Sequence, residues 1–81
     1  MKAKIIITPK KAVLDPQGKT VQGALTKMGY KGVQDVRQGK YFEISLDPSL
    51  GREAASAEVE RMAREVLTNP VIEEFRFSLE E

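Results

Sequence analysis

The chain has 81 residues, with 13 Lys+Arg against 12 Asp+Glu, 41% apolar and 31% charged residues, and no Cys, His or Trp. That length specifies one domain over residues 1–81, which buries only roughly 60 to 65% of its unfolded surface, so its core is marginal and association is favoured. A balance of +1 excludes a polybasic arm, an acidic tail and a disordered segment. The missing Cys and His exclude disulfides, thiolate metal sites, cysteine nucleophiles and the commonest general base.

The first predicted element is a strand from Lys2 to Thr8. Ala3, Ile5 and Ile7 share one face, Lys2, Lys4, Ile6 and Thr8 the other, and Pro9 ends it. Leu14-Asp15-Pro16-Gln17-Gly18 then reads as a helix start, with Asp15 as N-cap and Pro16 in the first helical position. Val21, Ala24, Leu25 and Met28 fall at i, i+3, i+4 and i+7 as an apolar stripe expected to face the core, and Gly29 supplies a left-handed end. Gly23 lies opposite that stripe.

A hairpin is expected next: Val33 to Arg37, a tight turn at Gln38-Gly39, then Lys40 to Asp47. Phe42, Ile44 and Leu46 alternate with Tyr41, Glu43 and Ser45, the pattern of a sheet buried on one face. A second helix runs from Arg52 to Thr68, with Ala55, Val59, Met62, Ala63, Val66 and Leu67 on one side, and Asn69-Pro70 stops it. The last strand, Val71 to Glu80, points Phe75, Phe77 and Leu79 inward. No stretch approaches the roughly 20 apolar residues of a membrane span or forms a signal segment, so no membrane association and a cytoplasmic location are expected.

The order β-α-β-β-α-β predicts an α+β, ferredoxin-like sandwich: a four-stranded antiparallel sheet with two helices on one face. Ile6, Tyr41 and Ile72, among Lys4, Glu43 and Arg76, would mark an uncovered opposite face. Such a fold hosts unrelated functions, so the residues must decide. RNA binding of the RRM type fails, because Lys40-Tyr41-Phe42 lacks the motif's glycine, the first strand offers only isoleucines and Glu43 would face phosphates. No nucleic-acid partner is expected. A phosphate at the first helix would compete with Asp15 for the same N–H groups. The adjacent carboxylates Glu73/Glu74 and Glu80/Glu81 point to opposite faces and make no acid/base pair. Asp35, Arg37, Lys40 and Glu43 read as cross-strand charge pairing about the turn. Arg37, Lys40 and Tyr41 are also candidates for the rim of a protein interface.

Leu14-Asp15-Pro16-Gln17-Gly18, Val21-Gln22, Ala24-Leu25, Met28-Gly29-Tyr30, Val36-Arg37, Gly39-Lys40, Glu43 and Asn69-Pro70-Val71-Ile72-Glu73, in this order, resemble the PurS family. Its members are small subunits of phosphoribosylformylglycinamidine synthase. The resemblance implies a part in purine biosynthesis, where formylglycinamide ribonucleotide, ATP and glutamine become the amidine, ADP, phosphate and glutamate. It implies a homodimer, or a tetramer, that bridges a glutaminase subunit and a large synthetase subunit and assists ammonia transfer. This chain would then carry no catalytic residue and bind no cofactor or metal, with ATP and magnesium held by the synthetase subunit. Gly23, Arg37, Lys40 and Tyr41 are the candidate partner contacts. Two alternatives are a metabolite-binding regulatory module of the same topology and an acylphosphatase-type enzyme. The second lacks the required Arg and Asn in the loop Pro9 to Leu14.

Overall fold

A computed structural model describes residues 1–81. Its elements are β1 (Lys2–Pro9), α1 (Pro16–Lys27), β2 (Lys40–Ser45), α2 (Arg52–Met62) and β3 (Glu73–Glu80), with α2 widening into a π-helical turn over Ala63–Leu67. The sheet has three strands in the order β2-β1-β3, antiparallel throughout. Ile5 faces Phe42 on one side and Phe77 on the other, which puts the three inward-pointing rows in register.

That register explains the core. Ala3, Ile5 and Ile7 are fully buried beneath Val59 and Ala63, and Phe42, Ile44, Leu46, Phe75, Phe77 and Leu79 pack around them half-buried. The central strand of a three-stranded sheet is shielded from both sides, so alternation along β1 becomes complete burial on one face. One polar group is caught in this layer: the Thr68 hydroxyl, at the end of the π-helical turn, is buried without a partner.

The structure corrects the four-stranded expectation. Residues 33–37 are not a strand, and β2 pairs directly with β1, Ile7 facing Lys40, so no hairpin forms at Gln38-Gly39. The physical reason is that this stretch has no period-two apolar pattern: Val33 and Val36 stand three apart among polar residues. Its backbone is spent on α1 instead. Gln22 Nε2 donates to the Gln34 carbonyl at 3.0 Å, and the Gln38 N–H donates to Asp15 Oδ2 at 2.7 Å. The segment therefore runs back along α1, and Gly18 is buried where a Cβ would collide with the Val36 carbonyl. Gly39 is likewise fixed by crowding, since a Cβ there would strike the Ile7 carbonyl, and not by the positive φ of a tight turn.

The two-helices-on-one-face expectation is corrected as well. Only α2 covers the sheet, and no α1 side chain joins the core cluster. Together with its return segment α1 forms an arm, which gives the molecule extents of 51 × 26 × 14 Å and a radius of gyration of 16.2 Å. A compact chain of this length would have about 12 Å. The stripe expected to be core is outside: Val21, Ala24 and Met28 are exposed and Leu25 half-buried. Gly29, at φ +98°, ends α1 as expected. β3 begins at Glu73, because Asn69 folds the preceding residues into a turn through its carbonyl and side chain. Val71 and Ile72 consequently lie outside the sheet, and Ile72 is not part of its open face.

Candidate functional site

The end of β1, the start of α1 and the starts of β2 and β3 meet at the root of the arm. Pro9 ends β1, Asp15 caps α1, and the residues between them form a loop outside the regular elements. Side chains support it instead. Asp15 Oδ1 accepts from the Gly18 N–H at 3.0 Å while Oδ2 accepts from Gln38, so one carboxylate ties the helix start to the returning segment. The Gln38 and then the Gly18 N–H groups hold the Asp15 carboxyl below its ordinary range, because both bonds favour the charged form. Arg37 Nη2 donates to the carbonyls of Lys10 and Val13, at 2.6 and 2.8 Å, clasping the loop from the other side.

β3 is joined to the same root. The Lys10 N–H donates to the Ile72 carbonyl and its Nζ to the Pro70 carbonyl, at 2.9 and 2.7 Å. Glu73 accepts from the Asn69 N–H at 2.9 Å and lies 3.4 Å from Lys40 Nζ. These groups surround a shallow hollow of about 240 Å³ lined by Leu14, Asp15, Gln38, Lys40, Ile72 and Glu73. Its charged side chains, Asp15, Lys40 and Glu73, are committed to the chain's own backbone or to each other, an arrangement that fixes geometry.

The open sheet face is a second region. Ile6 stands between Tyr41 and Arg76, flanked by the Lys4–Glu80 pair at 2.9 Å and the Lys2–Glu43 pair at 3.7 Å. The Glu80 bond and charge raise the Lys4 pKa, and partial burial followed by the Glu43 charge raises that of Tyr41, whose hydroxyl sits 3.3 Å from Glu43 Oε1.

The four candidate contact residues do not form one patch. Arg37 and Lys40 belong to the root, Tyr41 to the open sheet face, and Gly23 to the arm, where a Cβ would meet nothing within 4 Å. The cross-strand pairing expected of Asp35, Arg37, Lys40 and Glu43 is replaced by other partners: Glu43 takes Lys2, Lys40 takes Glu73, Arg37 takes carbonyls, and Asp35 has none. Sequence reasoning identified Asp15 as a cap but missed its bond to Gln38. Side-chain bonds to distant backbone leave no periodic trace, and the only signal was a capping Asp with a polar, patternless segment downstream.

Fold and site together define a small α+β protein of two helices and a three-stranded antiparallel sheet, with a projecting helical arm and surfaces left incompletely covered. The chain belongs to the PurS family: residues 2–81 match the family model described as PurS, phosphoribosylformylglycinamidine (FGAM) synthase. The PurS subunit of that synthase from Bacillus subtilis is 44% identical over 80 residues, covering 99% of this chain and 93% of the relative. The Methanocaldococcus jannaschii subunit is 38% identical over 79 residues, covering 98% and 94%. Among solved structures, B. subtilis PurS superposes with a TM-score of 0.87 at 42% identity, covering 99% of this chain and 98% of that one. A chain of the Thermotoga maritima PurLQS structure gives 0.84 at 28% identity, covering 95% and 93%. The chain is accordingly a subunit of FGAM synthase, an enzyme of the purine biosynthetic pathway.

Proposed function

We propose that this chain is the non-catalytic bridge of the synthase: a homodimer that holds a glutaminase subunit against a large synthetase subunit, so that ammonia released at the first is consumed at the second. ATP, magnesium and formylglycinamide ribonucleotide bind to the synthetase subunit, and this chain works beside both partners in the cytoplasm. The observation that carries the reading is full-length similarity to a chain found in a PurLQS structure. The residues support it: there is no Cys to attack glutamine, and the carboxylate and guanidinium at the root are engaged by backbone groups. Surfaces unoccupied within one copy are what a bridging subunit has to offer.

The test is amidine formation by purified synthetase and glutaminase subunits, with and without this chain. Glutamine-driven turnover should depend on the chain, and turnover fed by ammonium salt should not. Equal dependence of both rates would place chemistry in this chain, and no effect on either would remove the bridging role.

A further inference from the structure

The end of α2 carries two defects at once. Val66 is 76% exposed, while Thr68, two residues on, is only 7% exposed and has a hydroxyl that finds no partner. Both follow from the π-helical turn over Ala63–Leu67. An i to i+5 turn holds one residue more than an α-turn, so the residues after it are rotated away from the side that α periodicity assigns them. In an uninterrupted α-helix Val66 and Leu67 would lie within about 60° of the buried Ala63, and Thr68 about 140° from it. The valine would then be inside and the threonine outside. A single change of turn type thus removes both defects.

The chain permits that change. Ala63, Val66 and Leu67 keep the α-helical spacing begun by Ala55, Val59 and Met62. Pro70 disfavours the α region at Asn69 and no earlier, so an α-helical end can take in Thr68, whose backbone is extended here at φ −114° and ψ 139°. Downstream, the backbone is held. The Asn69 N–H donates to Glu73 Oε1, its carbonyl accepts from the Ile72 and Glu73 N–H groups, and the carbonyls of Pro70 and Ile72 accept from Lys10. Lys10 in turn gives its own carbonyl to Arg37. We infer that the last turn of α2 is a two-state element, π-helical when the Asn69–Glu73 turn holds Lys10 and α-helical when it releases it, so that this helix end sets how firmly the root of the arm is clasped. Val66 is the handle. Only the π-helical state presents it to solvent, so apolar contact there favours that state and tightens the root.

The experiment records relaxation dispersion of the backbone amides in the full-length chain, which reads exchange on the microsecond-to-millisecond scale, and repeats it for V66D and T68V. Exchange at one common rate is expected over residues 64–69 and at the Ile72 and Lys10 amides. Each variant should reduce the minor population about tenfold or more at all of these sites. V66D leaves an exposed position exposed but bars it from the core, and T68V suits the buried position without its orphaned hydroxyl. Sheet amides are the control for folding. Absence of exchange over residues 63–73, or exchange that persists in either variant, overturns the two-state element. Exchange over residues 64–69 beside a silent Lys10 amide overturns the link to the root. A Val66 methyl shielded from a soluble relaxation agent in the native protein overturns its part as the handle.

Discussion

Asp15 joins two segments through one carboxylate, and its chemistry therefore sets how the arm responds to acid. Its pKa is lowered in the folded chain by the Gln38 and Gly18 N–H groups. The stabilisation is complete above the ordinary value of 3.8 and is lost as the pH falls through the lower folded value. Protection of the Gly18 and Gln38 amides should fall on acidification before that of the β1 amides, and Asp15→Asn should flatten this response. The pKa of Asp47, lowered first by the Ser49 N–H and then by its hydroxyl, acts in the same direction at the approach to α2. Glycines give a sharper contrast. Gly18→Ala should cost about 1 to 3 kcal/mol, since its Cβ meets the Val36 carbonyl. Gly23→Ala should gain up to about 1 kcal/mol, since helix propensity improves and nothing opposes the methyl. Urea midpoints of the two variants decide this. Thr68→Val should be neutral or stabilising by about 1 kcal/mol, because it removes a buried hydroxyl that has no partner.

Among elements, β1 sustains the core and the arm depends on its root. Ile5→Ala should cost about 2 to 5 kcal/mol, as a fully buried side chain contacted from both flanking strands and from α2. Arg37→Ala should cost only about 1 kcal/mol of global stability, while exchange of α1 amides accelerates more than that of sheet amides. What was legible in the sequence follows this division. β1, β2, β3 and the first part of α2 were readable because each repeats its apolar residues at the period of its own geometry; Val66, expected on the inner side of α2, is instead 76% exposed, because the widened turn over Ala63–Leu67 breaks the 3.6-residue period that would have carried it inward. α1 was readable as a helix from Asp15, Pro16 and Gly29, but its position was not, since an apolar stripe specifies that a partner exists and not which chain supplies it. Residues 33–37 carry valines that suggest a strand, but their course is decided by the bonds from Gln22 and Asp15, which leave no mark in local propensity. Lys40 and Tyr41, neighbours in sequence, do not share one rim, because neighbouring strand residues face opposite ways.

At the scale of the whole molecule, an extent of 51 Å in a chain this short means that much apolar surface faces outward. Association should therefore be coupled to folding, and the denaturation midpoint should rise with protein concentration by mass action. A midpoint independent of concentration, together with a monomer mass, would refute that coupling. The open sheet face should respond at the alkaline end. Lys4 and Tyr41 both have raised pKa values, the first chiefly through its bond to Glu80 and the second through partial burial. Each favours the protonated form in the folded state, so their contributions are present below the unfolded values and lost as the pH rises through the folded ones.

The central place of β1 also dictates an order of events during synthesis. This strand leaves the ribosome before anything it pairs with, yet Lys2 faces Glu80 and Ala3 faces Leu79 across the ladder. Its Ile5-Ile6-Ile7 run finds β2 on one side midway along the chain, but its other side stays unpaired until nearly all of the remaining chain has been made, and loop closure over that distance slows folding relative to a helical protein of equal size. An unpaired apolar strand is the species most prone to cross-chain pairing. A pause or truncation that withholds β3 should thus send nascent chains toward aggregation, whereas one that withholds only the arm's contacts should leave a soluble sheet.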